Sequence, residues 1–476
     1  MKSYLKSEVK NICCLGAGYV GGPSMAIIAE KCLEIKVTVV DLNEERIRNW
    51  NDENVDNLPV YEPGLAEIIA DRRNKNLFFS TDMKNAIEMA DMIFIAVNTP
   101  TKNEGFGAGF ASDLTWIESS ARQIEQHAKG HTIVIEKSTV PVKTACIIQT
   151  ILDSKKNAPL NSSKKSFTVL SSPEFLAEGS AINDLRFPDR ILIGGEDELG
   201  INALKKIHEK WIPEEKILVT NLWSSELSKL VANAFLAQRI SSINSITALC
   251  EVTGAKINEI SQSIGSDQRI GNKFLRPGPG FGGSCFQKDI LNLVYLCRYY
   301  GLDEVANYWE QITILNNWQR KRISKLIVEK LLNTVNKKKI VILGFSYKPN
   351  TNDTRESAAI YICKDLIDNG AKLLIHDPQT TPNQIEKDLG RNESSNIDEE
   401  NSGCWAYIKD IERATFESDA IVILTEWDAY KNIDWKSLSN LMRKPSWIFD
   451  TRSVIKSDQI KNSDINYWGI GKGVDI

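Results

Sequence analysis

Short apolar runs alternate with amphipathic stretches at both ends of this chain, and that alternation limits the fold more than any other feature. Ile12 to Leu15, Val37 to Val40, Met92 to Val97, Ile133 to Ile135, Phe167 to Leu170 and Arg190 to Ile193 are too short for helices and lack polar alternation. They read as strands buried on both faces. Asp82 to Ala90 and Leu114 to His127 carry apolar residues at helical spacing between them. Strands alternating with helices predict a doubly wound parallel α/β sheet. After Lys337 the pattern returns with Ile340 to Leu343, Leu373 to His376, Ile421 to Leu424 and Trp447 to Phe449. In each half the first strand ends in glycine (Gly16, Gly344) and the second in aspartate (Asp41, Asp377).

The middle of the chain differs. Ser224-Ser225-Glu226-Leu227 looks like a helix start, and Leu227, Leu230, Val231, Ala234, Phe235, Ala237 and Ile240 follow at helical spacing. No Gly or Pro interrupts the run before Gly254, which predicts one long helix. A second helical stretch is expected from about Lys288 past Arg320. The fold class is therefore α/β: two Rossmann-like doubly wound domains joined by a long central helix and a helical middle domain. The expected boundaries are 1–222, 223–332 and 333–476. Asn383 to Asp410, polar and acidic, is expected as a surface excursion.

A length of 476 residues suits two or three such domains. The net charge of −4 provides no broad basic surface, which argues against nucleic acid or an anionic membrane as partner. An anionic ligand must then be held by a local cluster of Lys and Arg. The nine cysteines have no repeated short spacing and the four histidines no metal-ligand spacing, so neither a disulfide framework nor a metal site is expected. Scattered cysteines fit a reducing cytoplasm. The N-terminal apolar stretch is too short for a signal peptide or a membrane span.

Gly16-Ala17-Gly18-Tyr19-Val20-Gly21 follows the first strand and opens a helix. Glycines there permit the tight turn and let a pyrophosphate meet the helix N-terminus. Asp41, about 25 residues on, is placed to accept from a ribose 2′-hydroxyl and to repel a 2′-phosphate, so NAD is favoured over NADP. Arg46 nearby is the one residue that points the other way. Two more strand ends carry polar residues where such sheets present a cofactor: Val97-Asn98-Thr99-Pro100-Thr101, and Ser138-Thr139-Val140 after Glu136-Lys137.

Three further segments bear on the reacting chemistry. Glu174-Phe175-Leu176-Ala177-Glu178 follows a strand and sets two glutamates four residues apart; Lys229 and Asn233, also four apart, share a helix face. Gly280-Phe281-Gly282-Gly283-Ser284-Cys285 places a cysteine at the mouth of a glycine-rich turn, with Lys288 and Asp289 just beyond. Such a thiol is either a nucleophile or a small packed side chain.

At these residues the chain resembles the UDP-glucose/GDP-mannose dehydrogenase family, its animal-type UDP-glucose-oxidising members above all. The matching stretches GAGYVGGP, VNTPTK, EKSTVPV, PEFLAEG, SSELSKL, ANAFLAQRISSIN, DQRIGNKFL, GFGGSCFQKD and DTRES run in order over nearly the whole chain. The resemblance implies a four-electron oxidation of the sugar C6 alcohol of UDP-glucose to a carboxylate with two NAD⁺. Cys285 would capture the aldehyde as a thiohemiacetal, which is oxidised to a thioester and hydrolysed.

A free thiol titrates near about 8.5, so a cation is needed to favour the thiolate, and Lys229 is the expected one. It would also stabilise the tetrahedral oxyanions. Asn233 would position water or the C6 oxygen, Asp289 would pair with Lys229, and Glu174 is the candidate base for hydrolysis, with Thr139 in the same set. The division of labour among Lys229, Asp289 and Glu174 stays open. By resemblance, Glu178 and Arg355 face the cofactor, while Arg276, Phe281, Gly282, Tyr347, Lys348 and Arg452 meet the substrate together with Glu174 to Glu178, Lys229 and Asn233. Arg269 would reach in from a neighbouring subunit, which implies a homo-oligomer built from dimers, up to a hexamer.

The chain departs from the animal pattern in Arg276-Pro277-Gly278-Pro279, where the animal sequences have lysine and no prolines, and in lacking their long polar tail after Ile476. The alternatives are a relative acting on GDP-mannose or a UDP-N-acetyl-hexosamine, a two-electron hydroxyacid dehydrogenase in which Cys285 only packs, and a non-enzymatic nucleotide-sugar sensor.

Overall fold

A computed structural model describes residues 8–154, 165–397, 403–461 and 463–472. The chain divides into two compact units, Met1–Ala232 with Leu291–Gly301, and Asn233–Ile290 with Leu302–Ile476.

In the first unit, β1 (Asn11–Leu15), β2 (Lys36–Val40), β3 (Leu77–Ser80), β4 (Met92–Ile95), β5 (His131–Glu136), β6 (Ser166–Ser171), β7 (Ile191–Gly194) and β8 (Ile217–Thr220) form one sheet in the order β3-β2-β1-β4-β5-β6-β7-β8. All neighbours are parallel except β6 and β7, which meet antiparallel at Ser171 and Gly194. Apolar clusters cover both faces, one around Ile12, Cys14, Val37 and Trp50, the other around Cys13, Leu15, Ile93 and Val134. Burial on both faces is why these strands are written as unbroken apolar runs. The strand order switches sides between β1 and β4, which run parallel, so the loops after Leu15 and Ile95 open side by side, the place where such sheets bind ligands.

The second unit repeats the plan with β9 (Lys339–Leu343), β10 (Lys372–His376), β11 (Cys404–Tyr407), β12 (Ala420–Ile423), β13 (Ser446–Asp450) and β14 (Ile465–Gly469), all parallel, in the order β11-β10-β9-β12-β13-β14. Its two faces are likewise covered by apolar clusters. Ile323 and Ile327, from the helix Asp303–Lys330, belong to one of them.

The long helix is present as Leu222–Thr253, 32 residues. The second helical stretch is not continuous: Phe286–Tyr299 and Asp303–Lys330 are separate helices, broken where Gly301 takes φ +72°. Glycine adopts that conformation without strain, so the chain can turn there. The strand expected through Val97 stops at Ile95, ahead of Asn98 and Pro100. The stretch Asn383 to Asp410 is more ordered than a surface excursion. It contributes the helix Pro382–Leu389 and the strand β11, while residues 398–402 and 473–476 lie outside the described residues. No helix among the described residues is long and apolar enough to cross a membrane.

Candidate active site

In the first unit, Gly16 takes φ +106°, and a Cβ there would lie 2.4 Å from the carbonyl oxygen of Ala96. A Cβ on Gly21 would lie 2.0 Å from the Gly16 carbonyl oxygen, so the turn closes only on glycine. Gly18 faces open space, which leaves its backbone approachable by a phosphate. Tyr19 packs against the core and Val20 caps the helix Gly21–Lys31. Trp50, fully buried, donates its indole N–H to the Ala17 carbonyl at 3.0 Å and stacks on Phe79, fixing the loop from behind.

Asp41 accepts from the Ala17 amide (2.9 Å), the Asn43 amide (2.9 Å) and Arg46 Nη1 (2.9 Å). Burial pushes its pKa up, but these donors outweigh it and the net shift is downward, so the carboxylate is ionised. Arg46 is thus bound to the group that discriminates against a 2′-phosphate. On the neighbouring loops, Thr99 donates to the Thr139 carbonyl (2.8 Å) and Ser138 to the Val97 carbonyl (2.7 Å), tying the ends of β4 and β5 together. Thr101 bridges to Ser112, and Val140 is buried. These groups fit a dinucleotide: a glycine turn at a helix start, an ionised carboxylate at the end of β2, and polar loops at the switch point.

Glu174 is paired with Lys137 at 3.0 Å, both side chains nearly buried. It also accepts from the amides of Phe175 and Leu176. Burial raises its pKa, but Lys137, the Phe175 amide and Lys229 outweigh it and the net shift is downward. Lys229 lies over the Phe175 ring at 5.3 Å, and Arg190 lies 3.9 Å from the same ring. Ala177 is held by Asp184, and Glu62 accepts from the amides of Gly179 and Ala181, which anchors the loop carrying Glu178. Sequence reasoning did not single out Lys137. Its signal was a lysine at the end of an otherwise apolar strand, a position that demands a charge partner.

In the second unit, Asn233 donates to Asp289 Oδ2 at 2.6 Å, and Lys288 Nζ donates to Asp289 Oδ1 at 2.7 Å. Asn233 and Asp289 are buried. Lys288 is a second residue that sequence reasoning left without a role. Burial alone would lower its pKa, but Asp289 and Cys285 raise it above the ordinary value, so an ammonium sits beside the thiol. Ser284 Oγ lies 3.4 Å from Cys285 Sγ. Lys229 and Asn233 sit one turn apart on the long helix.

The glycine turn ahead of Cys285 is pressed against the loops of the second sheet. A Cβ on Gly282 would lie 2.6 Å from the Glu356 carbonyl oxygen, and one on Gly283 2.9 Å from the Tyr347 ring. The Phe281 side chain is buried, edge-on to Phe286. Arg276 donates to the Arg452 carbonyl, and Arg452 reaches the Leu424 and Tyr347 carbonyls and pairs with Glu426 at 3.2 Å. Lys348 Nζ lies 5.4 Å from the Tyr347 ring centre. These cations gather at the switch point of the second sheet. Arg355, half-exposed, is paired with Asp353. The Arg269 side chain is 89% exposed and pairs with Asp267 two residues away. Asp377, the counterpart of Asp41, is fully buried and accepts from the amides of Phe345 and Ser346 and the Trp427 indole. Its carboxylate is consumed in holding the loop after β9.

Models of one family match three successive stretches: the NAD binding domain over residues 10–212, the central domain over 223–318, and the UDP binding domain over 341–457. The chain belongs to the UDP-glucose/GDP-mannose dehydrogenase family. Among its relatives in that family are the UDP-glucose 6-dehydrogenase of Gallus gallus, 54% identical over 94% of this chain and 90% of its own, and that of Mus musculus, 54% identical over the same shares. UDP-glucose 6-dehydrogenase 3 of Arabidopsis thaliana is 50% identical over 98% of this chain and 97% of its own. The solved structure of a UDP-glucose dehydrogenase from the archaeon Pyrobaculum islandicum superposes with a TM-score of 0.82, at 27% identity, over 98% of this chain and 99% of its own. The family's NAD binding domain therefore coincides with the sheet holding Gly16 and Asp41, and its UDP binding domain with the sheet holding Tyr347.

Proposed function

We propose that this chain catalyses the NAD-dependent oxidation of UDP-glucose to UDP-glucuronate, with Cys285 as nucleophile. The observation that carries the reading is the group Cys285, Lys288, Asp289 and Asn233 at a glycine turn folded onto the nucleotide-side loops of β9 and β13. The high identity to UDP-glucose 6-dehydrogenases from animals and plants supports the choice of substrate.

Gly16 to Gly21 and Asp41, with Val97 to Thr101, Ser138 to Val140, Glu178 and Arg355, would hold NAD⁺, which would supply the hydride acceptor for each of two oxidations. The first converts the C6 alcohol to an aldehyde, and Cys285 then adds its sulfur to the aldehyde carbon. The thiohemiacetal carbon still bears one hydrogen, whose loss as hydride to a second NAD⁺ leaves a thioester. Water cleaves the C–S bond and regenerates the thiol. The balance is one alcohol, two NAD⁺ and one water giving one carboxylate, two NADH and three protons.

Lys229 and Lys288 stabilise the sulfur and oxygen anions. Asn233 and Asp289 hold water, Glu174, ionised over the neutral range, is the proton acceptor for hydrolysis, and Thr139 belongs to the same catalytic set. Arg276, Phe281, Gly282, Tyr347, Lys348 and Arg452 bind the UDP-sugar. Residues 1–222, 223–332 and 333–476 serve as cofactor, central and UDP-sugar segments. Arg269, exposed on its loop, completes the site of a neighbouring subunit in a dimer-based homo-oligomer. The nine free cysteines fit a cytoplasmic protein.

The test is a substrate panel of UDP-glucose, GDP-mannose and UDP-N-acetyl-glucosamine with NAD⁺. UDP-glucose is expected to give the highest kcat/KM, at least about tenfold above the others, one tenfold being 1.4 kcal/mol of transition-state discrimination. A preference for either of the others would reassign the substrate.

A further inference from the structure

The turn that presents Cys285 does not hold itself. Its backbone is gripped by buried polar side chains from two helices, and of these only Asn244 falls within a matching sequence stretch. Asn244, on the helix Leu222–Thr253, accepts from the Gly278 amide at 2.9 Å. Three residues share one face of the helix Asp303–Lys330, at spacings of three and one. Gln319 donates to the Gly278 carbonyl at 3.0 Å. Asn316 clasps Phe281 at both ends, accepting from its amide at 2.8 Å and donating to its carbonyl at 3.1 Å. Arg320 Nη2 donates to the same Phe281 carbonyl at 2.7 Å and to the Glu356 carbonyl at 2.8 Å. All four residues are 2% exposed or less.

Side-chain amides and a guanidinium are costly to bury, and apolar residues would fill the same space. What they supply instead is a fixed path for four backbone groups of a turn that forms no regular structure. Gly280 shows how close the grip is: at φ +130°, a Cβ there would lie 2.9 Å from Asn316 Oδ1 and 3.2 Å from Arg320 Cγ. Arg320 also joins two loops. Its guanidinium spans the Phe281 turn and the Arg355-Glu356 loop, lies 4.2 Å over the Tyr361 ring, and pairs with the Glu356 carboxylate, which accepts from Tyr361 at 2.6 Å. Burial lowers the Arg320 pKa, while Tyr361 and Glu356 oppose that shift.

We propose that Asn316, Gln319 and Arg320, with Asn244 opposite, are positioning residues that fix the Gly278–Phe281 turn and so aim the Cys285 sulfur. Through Arg320 they lock that turn to the loop carrying Arg355. The proposal rests on Cys285 being the nucleophile. A thiol displaced by even about 1 Å loses on the order of a hundredfold in rate, while UDP-sugar groups held elsewhere continue to bind.

The test uses the full-length protein and Asn316→Ala, with Gln319→Ala and the pair Arg320→Lys and Arg320→Met. Two readouts are taken: steady-state kinetics with UDP-glucose and NAD⁺, and the iodoacetamide alkylation rate of the Cys285 peptide, followed by mass spectrometry without substrate. Asn316→Ala is expected to lower kcat roughly 10–100-fold, with KM for UDP-glucose rising by a smaller factor because Phe281 and Gly282 move with the turn. Its Cys285 alkylation rate is expected to change by at least about threefold, since reactivity follows the thiol's surroundings. NADH formed per UDP-glucose should fall below two as uncaptured aldehyde escapes. Arg320→Lys should retain more activity than Arg320→Met. Parental kcat and alkylation in folded Asn316→Ala would overturn the proposal. Should Asn316→Ala not fold, Gln319→Ala, which loses one bond to the turn, decides by the same split. If the parent itself does not oxidise UDP-glucose, the functional reading fails, and the alkylation arm still decides the positioning.

Discussion

Replacing Lys137 with methionine probes the buried ion pair at the base of the Glu174 loop. The pair is 3.0 Å apart, with side-chain exposures of 5% and 11%. Removing one partner of such a pair strands the other charge and costs about 3–5 kcal/mol. Glu174 keeps its amide donors from Phe175 and Leu176 and the field of Lys229, so the low end applies, about 3 kcal/mol. For a folding unit of about 240 residues that is a fall in Tm of about 6–12 °C.

The pH dependence carries a sign. The folded pKa of Glu174 lies below its ordinary 4.5, so the pairing stabilises the fold above about pH 4.5 and is lost as pH falls through the folded value. In Lys137→Met the lone carboxyl is protonated on acidification and the strain is relieved. The gap between parent and variant should therefore be full at pH 7 and shrink as pH falls below about 4.5. Lys137→Met combined with Glu174→Gln removes both charges and should recover most of the loss. Thermal unfolding followed by tryptophan fluorescence at several pH values is the assay. A Tm within about 2 °C of the parent at pH 7, or a gap that does not shrink in acid, would refute the reasoning.

Asp41→Ala removes the carboxylate that occupies Arg46, and Arg46 then faces the 2′ position unpaired. NAD affinity should fall about ten- to a hundredfold, the worth of a charge-assisted hydrogen bond, and NADP should become a usable cofactor, as measured by KM for each. His208 is buried and its pKa lowered from 6.5 to about 3, chiefly by burial and then by Lys137. The unfolded chain therefore binds the proton more readily, and stability falls as pH drops below about 6.5. The slope is about 1.4 kcal/mol per pH unit. His208→Phe should flatten the denaturant midpoint between pH 6.5 and 5.

The parts of this fold that were legible in the sequence are those where one physical demand dominates. Strands buried on both faces must be apolar throughout, which made β1, β2, β9 and β12 readable. The strands that escaped notice include β3 and β8, at the edges of their sheet, where β8 exposes Leu218 and Val219. An edge strand needs no unbroken apolar run. The break at Gly301 was missed because one glycine inside a helical pattern is often tolerated. The glycine turns and Asp41 were visible because close backbone approach leaves few residue choices. Lys137 and the Asn316 row were not, because their importance lies in partners distant in sequence, Glu174 and backbone groups of a turn 35 residues away; Lys288 lies beside its partners Cys285 and Asp289 in sequence, but only the fold shows that it is buried with them. A buried charge or amide announces itself only once the fold has removed its water.

The central claim, that Cys285 carries one substrate through two successive oxidations, is tested most directly by counting NADH at complete conversion of a limiting amount of UDP-glucose. The account predicts two NADH per UDP-glucose, with glucuronate as the sugar product. One NADH per UDP-glucose, with the C6 aldehyde accumulating, would contradict it.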